Sequence, residues 1–127
     1  MPIIVITPKP LTEVKATKLA QLEQARKNAI ATLPPVTVAG KQFPADSEYQ
    51  SVISNLSRRL AAARPLPATV RGVAGVAVTL NASLLNQLDD AISGAVQVQW
   101  DRYWTRFDEV DAAFKANDHV ALEAAIW

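Results

Sequence analysis

Between Asn81 and Asn117 the chain contains no proline, and its apolar residues return every three or four positions: Leu85, Leu88, Ile92, Val96, Trp100, Tyr103, Phe107, Val110 and Phe114. That spacing puts them on one face of a helix, and from Val96 onward the steps alternate four and three, which is a heptad seam. Gly94 is the one weak position, at about 1 kcal/mol relative to alanine. Asn81 can accept a hydrogen bond from an orphan N–H of the first turn, and Asn117 suits the left-handed stop of the last. A helix over about 82–116 would be roughly 50 Å long at about 1.5 Å per residue. This exceeds the width of a compact domain of this size. The segment is therefore expected to act as a spine on which the other elements pack, and to outreach them.

Those other elements come from the preceding eighty residues. Pro2-Ile3-Ile4-Val5-Ile6 is apolar and mostly β-branched without alternation, which favours a strand covered on both faces or an arm that pairs with another surface. Thr7-Pro8-Lys9-Pro10 is a stiff spacer, since each proline fixes φ and lacks an N–H. A helix is expected from Glu13 to Thr32 with Thr12 as its cap, ended by Pro34-Pro35. Val36-Thr37-Val38 and Lys41-Gln42-Phe43 flank Ala39-Gly40 and read as a hairpin. Ser47 and Gln50 have the spacing of a capping box, with Asp46 as a second cap candidate, and open a helix to about Ala63. Its stripe is Tyr49, Val52, Ile53, Leu56, Leu60 and Ala63. Residues 66–75 read as a loop, and residues 76–80 as a strand that would join the hairpin, because two strands alone are marginal. Asp118 should cap a last short helix from His119 to Trp127.

The expected class is therefore α+β, mainly α. It has three or four helices including the long spine at about 82–116, and a small antiparallel sheet from the hairpin (36–43) and a strand (76–80). Residues 1–12 form an apolar arm and proline spacer, and 13–127 one helical domain. With 127 residues and 50% hydrophobic content the chain can build a core, and disorder is not expected. No cysteine is present, which excludes disulfides and thiolate metal sites. The apolar run at residues 2–6 is too short to span a bilayer and lacks the pattern of a signal peptide, so synthesis in the cytoplasm and no membrane partner are expected.

In this order the parts resemble a known group. A Lys-bearing helix leads to a hairpin with Gly40 and Phe43. Asp46, Gln50 and Ile53 mark the next helix start. Val78-Thr79-Leu80-Asn81-Ala82 leads into the long helix with Leu88 and Ile92, and a short helix follows. The arrangement is similar to an uncharacterised domain family of tailed-bacteriophage tail-fibre and fibre-associated tail proteins. The likeness covers about residues 13–127, and the loop from Arg64 to Arg71 departs from it in being Pro-rich and basic. It implies a non-enzymatic structural component of a phage tail, an adaptor or connector for fibres or tip. Its partners would be other tail proteins and copies of itself, and its place the virion after synthesis in the host cytoplasm. An assembly chaperone for a tail fibre, absent from the finished particle, is the alternative.

Little in the sequence points to catalysis. His119 is the only histidine; Glu123 stands at i+4 and Asp118 beside it, too few ligands for a persuasive metal site. Asp89 and Asp90 are adjacent and diverge by about 100° on a helix, so they do not form a carboxylate dyad. No P-loop, nucleophile elbow or HExxH occurs. No cofactor or metal is expected. The net charge is +1, but the distribution is uneven. Residues 1–48 hold six bases and four acids; residues 49–88 hold Arg58, Arg59, Arg64 and Arg71 and no acid; residues 89–127 hold three bases and eight acids. Four arginines without interleaved aromatics argue against nucleic acid and for a solvated helix end or an acidic protein surface. Trp100, Tyr103, Trp104 and Phe107 crowd two turns of the spine, the composition of a helix–helix interface. The candidate interface is thus Ile3, Ile4, Val5 and Ile6, the four arginines, and these four rings.

Overall fold

A computed structural model describes residues 9–127, so the expected arm at Ile3–Ile6 lies outside the described residues. The protein is mainly helical α+β. Its elements are α1 (Leu11–Ala31), β1 (Val36–Val38), β2 (Lys41–Phe43), α2 (Ser47–Ala61), β3 (Thr69–Arg71), β4 (Ala77–Thr79), α3 (Ala82–Lys115) and α4 (His119–Ala124), with a 3-10 turn at Val73–Gly75. Two compact units are present: Lys27–Trp100, and the segment up to Arg26 together with Asp101–Trp127.

The 34-residue α3 is the spine, bounded where the two asparagines foretold. Asn81 Oδ1 accepts the Leu84 N–H at 2.8 Å. At the other end Asn117 takes φ 54°, and the N–H groups of Asn117 and Asp118 reach back to Phe114 and Ala113. These two bonds form the Schellman motif, which satisfies carbonyls a helix end would otherwise leave open. The same motif closes α2: Ala63 and Arg64 donate to Leu60 and Arg59, with Ala63 at φ 53°.

Two start signals are read differently by the fold. Pro10, not Thr12, precedes α1; its carbonyl accepts from Glu13 and Val14, and Thr12 lies inside the first turn. At α2 the cap is Asp46, whose carboxylate accepts the Tyr49 N–H at 3.0 Å. Gln50 does not close a capping box. Its amide donates to Ile30 O at 2.6 Å and Ala45 O at 2.8 Å, tying the last turn of α1 and the strand exit to α2. The last helix stops at Ala124, short of Trp127, because Ala125 is extended.

The sheet is the main correction. β1 and β2 form the expected hairpin, with both Ala39 (φ 51°) and Gly40 (φ 75°) in the left-handed region, a type I′ turn. Residues 77–79 do not join it. They pair antiparallel with Thr69–Arg71 inside the stretch read as a loop, giving two separate two-stranded sheets. A short connection through Gly72 and Gly75 closes this second hairpin locally, and closing a short loop costs less than recruiting a distant edge. The two hairpins meet at Gly72 instead of through a ladder: a Cβ there would stand 2.9 Å from the Gln42 carbonyl oxygen.

In unit Lys27–Trp100 one core gathers both hairpins, α2 and the first half of α3. Phe43, Ile53, Leu85 and Leu88 are essentially inaccessible, and Val38, Val70, Val78, Leu80 and Ile92 close around them. Of the stripe on α2 only Ile53 is fully buried; Tyr49, Leu56 and Leu60 pack at the edge, while Val52 and Ala63 face solvent. The other unit has a smaller core of Val14, Leu22, Tyr103, Val110 and Leu122. Here α1 runs antiparallel to α3, since Lys15 bonds Asp111 and Arg26 stacks on Tyr103.

Glycine substitutions separate the two kinds of position. Gly72→Ala should lower unfolding free energy by about 1–3 kcal/mol, because a backbone oxygen must move. Gly94→Ala, where nothing lies within 4 Å, should raise it by up to about 1 kcal/mol; urea titration of both variants measures this. Tyr49 gives a pH signature. Burial raises its phenol above the ordinary value, and the hydroxyl donates to Arg71 O at 2.7 Å. The neutral phenol is thus favoured in the fold. Its contribution is complete below about pH 10 and is lost as pH rises through the raised value. Tyr49→Phe should cost about 1 kcal/mol at neutral pH and flatten the alkaline limb of the stability curve.

Candidate interaction surface

The four arginines do not act as one patch. Arg59 donates from Nε and Nη2 to Pro65 O, at 3.1 and 2.9 Å, and so holds the chain as it leaves α2. Arg71 donates from Nη1 to Gly75 O at 3.1 Å across its hairpin, and its own carbonyl receives the Tyr49 hydroxyl. These two are local clamps on carbonyls that the loops leave unsatisfied. Arg58 and Arg64 are exposed and make no hydrogen bond or ion pair among the described residues. Their place at the C-terminal end of α2 is also where the helix dipole favours positive charge.

The aromatic face is more covered than the length argument suggested. Trp100, Phe107 and Phe114 are partly buried, and Tyr103 and Val110 are buried. That argument expected the spine to outreach the elements packed on it. In the structure α1 lies against residues 101–115 within their unit, and Leu122 of α4 is fully buried there as well. Trp104 is the exception, at 49% exposure. Its ring meets Tyr103 edge-on at 5.0 Å and Phe107 at 5.3 Å, so a rigid pair of rings supports it.

The acids of the second half of α3 are mostly engaged within the chain. Asp111 is held by Lys15 at 3.0 Å and Lys115 at 2.8 Å, and Lys15 also sits 4.5 Å above the Phe114 ring. Hydrogen bonds from Lys115, then from Lys15, hold the Asp111 carboxyl below the usual carboxylate range, and the same bond raises the Lys115 ammonium. Arg106 spans both oxygens of Glu109 at 3.1 Å. Asp118 caps α4 by accepting from Ala121, and His119 stands 3.5 Å from Glu123. Among the described residues no group of three or more His, Cys, Asp or Glu is placed to hold a metal ion. No helix there is long and apolar enough to cross a membrane. Asp89 is half-buried beside α2, and Asp90 is exposed.

A cleft of about 340 Å³ lies between the β1–β2 hairpin and the start of α3, with Lys41 as its one charged side chain. Its floor of Val38, Phe43, Val78 and Leu84 is already closed, each below a tenth exposed, so it offers a ligand little apolar surface. The Lys15 and Arg26 contacts were not legible from the chain. Their partners are distant in sequence, 96 residues apart for Lys15 and Asp111, and no motif links them.

The Lys15–Asp111–Lys115 cluster should make the unit acid- and salt-sensitive. Because the carboxyl is held down in the fold, its contribution is present above the ordinary carboxylate value and is lost as pH falls through the lowered one. Asp111→Asn should therefore flatten the stability curve below about pH 4, and should remove part of the salt dependence at neutral pH. Thermal melts across pH and sodium chloride series check both. Comparison of the chain with protein-family models, with curated proteins and with solved structures finds no match in any of the three.

Proposed function

We propose that this chain is a non-enzymatic structural component of a bacteriophage tail, an adaptor that joins fibres or the tip to the tail through protein contacts. What supports the reading is the work done by the residues that carry the resemblance. Asp46 and Asn81 cap α2 and α3, Gln50 ties α1 to α2, and Gly40 takes the turn conformation at φ 75°. Phe43, Ile53, Leu88 and Ile92 lie in one core. The likeness thus rests on residues that hold a fold together, in the same order along the chain, and not on scattered surface identities. An exposed, rigidly supported tryptophan and two free arginines are features that binding to another protein would use.

Quantitative mass spectrometry of purified particles, from the phage that encodes the chain, tests the proposal. The expected result is a fixed, near-integer ratio to the major tail proteins. Presence in the infected-cell lysate with absence from particles would overturn the adaptor reading in favour of an assembly chaperone.

A further inference from the structure

We propose that the outer edge of β4, Ala77–Thr79, is a strand-addition site that takes an extended segment of a partner protein, neutral apart from one acidic side chain. This goes beyond the tail assignment, which names no surface, and does not depend on it.

The hydrogen bonding of the second hairpin fixes which groups are free. In an antiparallel pair alternate residues turn their N–H and C=O groups toward the partner strand and away from it. The Leu80 N–H donates to Ala68 O and the Gly72 N–H to Val76 O, with Val70 opposite Val78 between them. These residues spend their groups inside the hairpin. The groups of Thr69, Arg71, Ala77 and Thr79 therefore point outward from its two edges. On β3 that edge is engaged: Arg71 O takes the Tyr49 hydroxyl at 2.7 Å, and Pro67 lies two residues before Thr69. On β4 the outward groups of Ala77 and Thr79 have no hydrogen-bond partner among the described residues, and both residues are exposed.

This edge also lacks the usual guards. Exposed strand edges are ordinarily protected by a charge, a proline or a covering element. Residues 72–88 contain no charged residue and no proline. Val76, immediately before β4, is 56% exposed. The first hairpin does not pair with β4, so each sheet keeps only two strands, a marginal arrangement that a third strand would improve.

The space beside the edge selects the occupant. The cleft of about 340 Å³ is lined by Val78 and Thr79 of β4 and by Val38, Ala39 and Lys41 of the first hairpin, all within Lys27–Trp100. Its floor is closed, so it offers main-chain donors and acceptors more than apolar area. Another extended backbone is what satisfies such a row. A second copy meeting this edge would bring β3 along with β4, whereas the first hairpin already borders the cleft, so the space suits a single strand. Lys41 is the one charge lining it, and an acidic side chain on the segment would complement it.

The test is an NMR titration of the full chain with a capped eight-residue peptide of alternating valine and threonine carrying one central glutamate, to millimolar concentration. Main-chain recognition tolerates sequence, which makes such a peptide a fair probe. Saturable shifts and slowed amide exchange are expected at Ala77 and Thr79 and not at Thr69. Thr79→Pro removes one outward N–H without taking a bond from the hairpin, and should weaken binding by at least about tenfold. Thr69→Pro, the same change on the other edge, should leave it intact. Lys41→Ala should weaken it about two- to fivefold. Circular dichroism checks folding; should Thr79→Pro not fold, the exchange pattern of the wild type decides alone. Absence of saturable binding, shifts confined to another surface, or undiminished binding by a folded Thr79→Pro chain would each overturn the proposal. So would sedimentation showing a dimer that Thr79→Pro abolishes, which would assign the edge to a second copy. None of these results bears on the particle measurement, so the two readings fail separately.

Discussion

An uninterrupted apolar stripe on a 34-residue helix is the constraint from which the remaining structure follows. At about 1.5 Å per residue α3 runs for roughly 50 Å, and no other element among the described residues is long enough to shield it alone. Cover is therefore supplied in sections. Within Lys27–Trp100 the two hairpins and α2 bury Leu84, Leu85, Leu88 and Ile92. Within the other unit α1 and α4 meet Tyr103 and Val110. The asparagines at the ends matter for the same reason: the stripe is useful only if the helix starts and stops in register with its cover, and Asn81 and Asn117 set both limits by hydrogen bonding.

Period and punctuation were legible in the chain. The 3.6-residue repeat located α3, the prolines ended α1, and Ala39-Gly40 gave the hairpin, because each depends on a few adjacent residues. Pairing across distance was not. Thr69-Val70-Arg71 is three residues long and sits among prolines and glycines, so it carries too little pattern to be read as a strand, yet it captured residues 77–79. Gln50 shows the same limit at the level of a side chain. Its spacing from Ser47 suggested a local bond to the helix start, but two carbonyls, one at Ile30 far back in the chain, offered better partners.

The candidate surface shifted for an electrostatic reason. Sequence charge counts treat every ionised group as available, whereas the folded chain engages many of them. Arg59 and Arg71 satisfy carbonyls, Asp118 caps a helix, and Asp111 is shared by two lysines. The basic and acidic stretches are therefore weaker fields than the counts imply, and what remains for other molecules is a short set of specific side chains. The rings behaved likewise: of the four candidates on the spine, only Trp104 stays prominently open.

Three alanines, Ala39, Ala63 and Ala74, hold left-handed backbone where glycine is the usual occupant. The conformation costs an alanine roughly 1–2 kcal/mol. Glycine would relieve it but would loosen the unfolded chain, an offset of about 0.4–1 kcal/mol in the opposite direction. The strain is the larger of the two, so glycine at these positions would be modestly stabilising. Each of these turns thus holds a small residual strain that the contacts around it must offset. The backbone at these turns is therefore imposed by the caps and strands on either side, and not by the preference of the residue that occupies it.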